Sequence, residues 1–95
     1  MSFREGIDDA HLLEIEARSE RARPGPWTSW VEGRDHTSGS NIITIGNPSD
    51  GHDDIELLGA TPADQDFIAS ARSDIPALVK EVRRLKRLLG ELGSP

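Results

Sequence analysis

The fold is decided by residues 61–92, TPADQDFIASARSDIPALVKEVRRLKRLLGEL, which carry the strongest structural signal in the chain. Thr61 at the N-cap, Pro62 at the first helical position and Asp64 at the third are typical of a helix start. From this start we predict helical structure through Leu92.

A second helix start within the same block is indicated by Ser73–Pro76, which combines a capping residue, an acid and a proline. A proline costs a helix little in its first turn but about 3 kcal/mol in its interior. We therefore predict a short helix, a break or sharp bend near Arg72–Asp74, and a long amphipathic helix from Ile75 to Leu89 or Leu92.

The long helix carries apolar residues at alternating spacings of three and four, the pattern of a heptad seam. These residues are Ile75, Leu78, Val82, Leu85, Leu89 and Leu92, with Val79 and Leu88 beside them. A repeat this short fits a core helix as well as a dimer seam. Its outer half has more apolar surface than a small sheet can cover. We predict a partner interface there, formed by Leu85, Leu88, Leu89 and Leu92.

Basic residues cluster on the same helix, away from the apolar seam. The four that we consider as phosphate contacts are Lys80, Arg83, Arg84 and Arg87. Residues 72–95 carry six bases and three acids, whereas residues 1–71 carry five bases and 14 acids, so local balances of +3 and −9 give the net charge of −6. The bases could equally flank a helix seam or pair with the acids of the first helix.

Length and composition favour a single small domain over residues 1–95, with a loose terminus at residues 1–6 and the helical block at residues 61–92. Hydrophobic content of 35% and aromatic content of 4% are low for a self-sufficient core. We infer either a small core or one that a second copy of the chain completes.

The absence of cysteine fits a reducing cytoplasm. No apolar run reaches the roughly 20 residues that span a membrane, so we expect a cytoplasmic protein.

The first half of the chain predicts a helix followed by a small sheet. Asp8 is a candidate N-cap for a helix over about residues 9–22, and Pro24–Pro26 ends it. Strands are predicted at residues 27–31 and 41–46, with residues 55–58 as a candidate third strand. The fold class is therefore α+β: an N-terminal helix, two or three antiparallel strands, then the helical block. The predicted core residues are Trp27, Ile43, Phe67, Ile68, Leu78 and Val82.

Candidate catalytic and metal sites are weak. His52, Asp53 and Asp54 are adjacent and do not converge on one metal ion unless they lie in a loop. Asp35 and His36, with Ser38, Ser40 or Thr37 as the nucleophile, are too close in sequence for a typical hydrolytic triad. We predict no catalytic residue, no metal ligand and no cofactor, and favour a protein that is not an enzyme.

Several sequence blocks resemble known proteins. They are residues 15–18 (IEAR), 24–27 (PGPW), 66–78 (DFIASARSDIPAL) and 81–85 (EVRRL). In that order they resemble a widespread set of small uncharacterised proteins of actinobacteria and their phages, and more loosely the Ead-type early accessory proteins of lambdoid phages. The resemblance implies a phage or mobile-element setting and no activity. It also suggests that the PGPW turn and the FIAxARxDIPAL block are structural joints.

The leading hypothesis is a binding or assembly module that forms a homo-oligomer through its C-terminal helix, with a host or phage protein as a further possible partner. One alternative is a regulator that contacts nucleic acid through the basic helix. Another is a small-ligand binder built on the loops at residues 33–40 and 47–54.

Overall fold

The computed structural model describes residues 6–93, without the side chains of Pro48 and of residues 91–93. The elements are helix α1 (Asp9–Arg21), strands β1 (Trp27–Trp30), β2 (Ile42–Ile45) and β3 (Asp53–Glu56), and helix α2 (Pro62–Gly93). The fold is α+β, with a three-stranded antiparallel sheet and a long C-terminal helix, as the sequence predicts. Apart from Gly6, the terminus predicted to be loose lies outside the described residues.

Contacts divide the chain into two compact units. One unit consists of Met1–Ala22 with Ile75–Pro95, and the other is Arg23–Asp74. The helix α2 contributes residues to both. The sheet belongs to the second unit and the seam predicted on the long helix belongs to the first.

The sheet has β2 at its centre, paired with β1 on one side and β3 on the other. Ile43 lies opposite Ser29 on β1 and Ile55 on β3. Its side chain is 0% exposed, which makes it the apolar centre of this unit. A β-branched residue suits this central position because its stiff side chain packs well on a pleated surface. Strand β3 begins two residues before the prediction, and the exposed Leu58 lies outside it.

The first turns of α2 attach to the sheet through a buried glutamine. Gln65 is 1% exposed, and its Nε2 donates hydrogen bonds of 2.9 Å to the carbonyl oxygens of Trp30 and Ile42. Because these bonds fix the rotation of the helix, the apolar residues two and three positions later turn outward. Phe67 is 75% exposed and Ile68 is exposed as well, so the prediction that they lie in the core is wrong.

The helix α2 is continuous from Pro62 to Gly93 and contains Pro76 in its interior. The predicted break at Arg72–Asp74, with a separate short helix before it, is therefore wrong. A new helix start needs a costly nucleus, whereas continuing an existing helix adds one bond per residue. Ala, Leu, Lys, Glu and Arg, all strong helix formers, dominate the residues after Pro76 and offset the cost of that one position.

In the first unit, α1 begins at the N-cap Asp8, whose Oδ1 accepts a 2.8 Å hydrogen bond from the His11 N–H. Leu12 is the buried apolar residue of α1, and Val79 is its buried counterpart on α2. Of the residues predicted for the core, Trp27 and Val82 are half-buried. Leu78 is 59% exposed, so its placement in the core is wrong.

Candidate functional site

An exposed apolar surface runs along the C-terminal half of α2. We define the leucine strip by its 3,4 spacing as Ile75, Leu78, Val82, Leu85 and Leu89. Leu85 is 46% exposed and Leu89 is 68% exposed. Leu88 is also exposed but lies outside the 3,4 spacing, and the side chain of Leu92 is outside the described residues. A contiguous patch of exposed apolar side chains is typical of a surface that binds another molecule.

Helix α1 of the same chain does not cover the leucine strip, because α1 lies along a different face of α2. Val79 is buried, and Arg83 and Lys86 bind acids of α1. Positions 79, 83 and 86 are three or four residues apart and so share one helix face. The strip occupies the neighbouring face, where Leu78 and Leu85 remain accessible.

The continuity of α2 lengthens the heptad pattern beyond the prediction. In sequence, the same spacing extends back through Ala71 to Ile68, so that residues 68–92 follow it without interruption. This is 25 residues, or about three and a half heptads, which reaches the length typical of coiled coils. The single interior proline, Pro76, falls between seam positions.

Three basic residues of α2, Arg83, Arg84 and Lys86, each pair with a nearby acid. The Arg83 guanidinium donates to Glu16 of α1 at 2.9 Å, and Lys86 donates to Asp9. Arg84 binds Glu81 on the preceding turn, with Nε 3.1 Å from each carboxylate oxygen, and holds the pKa of that carboxyl below its ordinary value.

Two of the four predicted phosphate contacts, Arg83 and Arg84, are thus engaged within the chain. Among the side chains that the structure describes, which do not include Glu91, Lys80 and Arg87 form no ion pair. They are seven residues apart, which is about 10 Å along a helix. An open groove of about 500 Å³ is lined by Asp9, Leu13, Arg83, Lys86 and Arg87. The charges in this groove are mixed, which reduces the support for a phosphate-binding face.

The loop between β1 and β2 is held by an ion pair to α2. The Arg34 guanidinium donates to both carboxylate oxygens of Asp66, at 2.8 and 2.9 Å, and the Ser29 hydroxyl donates to the same carboxylate at 2.8 Å. These contacts, with Arg34 first and Ser29 second, lower the pKa of Asp66 to about 2. The sequence reading missed this pair because its members are 32 residues apart and no local spacing indicates it.

The residues considered as a hydrolytic triad are only partly together. The Ser38 hydroxyl is 2.5 Å from His36 Nδ1, and His36 Nε2 is 3.3 Å from the Trp30 carbonyl oxygen. Asp35 instead accepts hydrogen bonds from Arg34 and from the Val31 N–H. The imidazole Nε2 thus faces a backbone carbonyl, and the carboxylate near this ring is that of Glu32, 3.9 Å from Nδ1, rather than that of Asp35.

The acidic and histidine residues around β3 also bind separate partners. His52 Nδ1 is 2.8 Å from Asp54 Oδ1, whereas Asp53 accepts a hydrogen bond from Arg23 at 2.8 Å. Among the described residues, no group of three or more histidine, aspartate or glutamate side chains is placed to hold a metal ion. Within residues 6–93, no helix combines the length and apolar character needed to cross a membrane.

No protein-family model, curated protein or solved structure matches the chain.

Proposed function

We propose that the chain is a non-enzymatic assembly module that binds a second copy of itself through the leucine strip. The observation that carries this proposal is the exposure of Leu78, Leu85 and Leu89 at heptad spacing on a continuous helix. A heptad seam is its own complement, because apolar residues of one helix fill the holes between the same residues of another.

The small core gives a second reason. Leu12 and Val79 are the buried apolar residues of the first unit among those described, while all residues of the strip except the half-buried Val82 are exposed. Burial of apolar surface is the main favourable term in association, at about 25 cal/mol per Å². If the leucine strip of a second copy packed on that of the first, both strips would bury apolar surface that is exposed in a single copy.

The biological setting we propose is that of a phage or mobile-element accessory protein, which follows from the sequence resemblance alone. In that setting the assembled form could present a surface to a host or phage protein. The nucleic-acid alternative is weaker because Arg83 and Arg84 already bind carboxylates.

Light scattering of strip variants tests the proposal. We expect Leu78→Glu and Leu85→Glu to yield monomers at concentrations where the unchanged chain is dimeric, because each places a charge inside the apolar contact. Both positions are exposed, so the helix content measured by circular dichroism stays near that of the unchanged chain.

The matched control is Ala77→Glu, which adds the same charge at an exposed position outside the strip. This variant should remain dimeric. A monomeric unchanged chain at high micromolar concentration, or strip variants that keep the dimer mass, would contradict the proposal.

A further inference from the structure

We propose that the two copies align their α2 helices in parallel and in register, with Glu81 of one copy beside Lys86 of the other. This inference rests on the proposed self-association and adds the direction and register of the pair. It is carried by the types of residue in the strip and by the charges beside it.

The residue types at the seam favour a parallel pair. In heptad notation, Ile75, Val82 and Leu89 occupy a positions, and Leu78 and Leu85 occupy d positions. β-Branched residues at a with leucine at d favour two-stranded parallel coiled coils, because their side chains fit the a and d packing geometries of that arrangement. Leu89 is the one a position without a branched β-carbon.

The charges that flank the strip favour the same direction. Glu81 occupies a g position and Lys86 the e position five residues later. In a parallel pair, a g residue of one helix lies beside that e residue of the other, so opposite charges meet on both sides of the seam. In an antiparallel pair, the g residues of one helix lie beside the g residues of the other. The acidic g residues Asp74 and Glu81 of the two copies would then face each other and repel.

The helix α1 leaves this arrangement possible. Lys86 already binds Asp9, but its side chain is only partly covered and its ammonium group has three donors. It can therefore also donate a hydrogen bond to a carboxylate of the partner copy. Glu81 is likewise half exposed and shared with Arg84 of its own helix, so the carboxylate has free lone pairs for a further donor.

Single-cysteine cross-linking tests the direction, because the chain contains no cysteine of its own. Leu78→Cys and Leu89→Cys should each form a disulfide-linked homodimer in a glutathione redox buffer. In a parallel, in-register pair every seam residue lies beside its own copy. Ala77→Cys, outside the strip, is the control and should stay monomeric on a non-reducing gel.

An antiparallel pair gives a different pattern. Residues 78 and 89 are about 16 Å apart along a helix, so they cannot both lie at the two-fold axis of an antiparallel dimer. A cross-link that forms efficiently only when Leu78→Cys and Leu89→Cys chains are mixed would overturn the parallel arrangement and leave the self-association standing. No cross-link in any sample, together with a monomer mass for the unchanged chain, would overturn both.

Discussion

At the residue scale, the ion pair between Arg34 and Asp66 joins segments that are distant in sequence. The loop after β1 contains several polar residues and two glycines, and would lose conformational freedom when it is held in one position. Two guanidinium hydrogen bonds and one from Ser29 converge on the same carboxylate. Bidentate pairs of this kind are more specific in geometry than single contacts.

We expect Asp66→Asn to lower the midpoint of thermal unfolding at pH 7, because the amide does not attract Arg34 as a carboxylate does. The pKa of Asp66 falls from its ordinary 3.8 to about 2 in the folded chain. The folded state then binds fewer protons than the unfolded state, so the stabilisation is present above about pH 4 and is lost as the pH falls through 2.

Thermal unfolding followed by circular dichroism between pH 7 and pH 2 measures this effect. The difference between the unchanged chain and Asp66→Asn should be steady down to about pH 4 and should then shrink. Glu56→Gln, which removes an exposed carboxylate on β3, is the control and should unfold near the midpoint of the unchanged chain at pH 7. A gap that stays constant down to pH 2 would rule out this role for Asp66.

The orientation of the first turns of α2 was beyond what the sequence could predict. A rule based on apolar periodicity places Phe67 inward, since phenylalanine is the larger apolar side chain. The structure buries Gln65 instead, because the carbonyl oxygens of Trp30 and Ile42 offer it two hydrogen bonds. Which face of the helix is buried therefore depends on strand residues more than 20 positions away in sequence, and a local sequence pattern does not predict such contacts.

At the element scale, strong local signals located most of the strands and helices. The β-branched run at residues 41–46 became the central strand β2, and Asp8 caps α1. The third strand exists, although its edges differ from the prediction. The leucine strip was predictable from its spacing, but the extension of that spacing back to Ile68 on the same helix was not, because Pro76 indicated a break where the helix continues.

Replacement of Pro76 tests the continuity of α2. Because Pro76 lies in the helix interior, Pro76→Ala should raise the free energy of unfolding by about 1 to 3 kcal/mol, since alanine restores a backbone donor and removes the ring clash. Urea denaturation measures this change. A neutral or destabilising result would instead place the proline in the first turn of a separate helix, where it is favoured.

At the scale of the whole molecule, the sparse aromatic content and the exposed apolar strip both fit a chain that buries little apolar surface by itself. The unit formed by α1 and the end of α2 buries Leu12 and Val79 while several leucines stay in water. Small domains are marginal because they bury a limited share of their surface, and association is one of the usual remedies. Arg83, Arg84 and Lys86 of α2 bind acids of the same chain, which leaves the strip as the most distinctive surface of that helix.

Sedimentation equilibrium of the unchanged chain tests self-association most directly. The single chain has a mass of 10.4 kDa. We predict that the average mass rises toward twice this value between low and high micromolar concentration, and that Leu85→Glu abolishes the rise. A mass that stays at 10.4 kDa across the whole range would contradict the account.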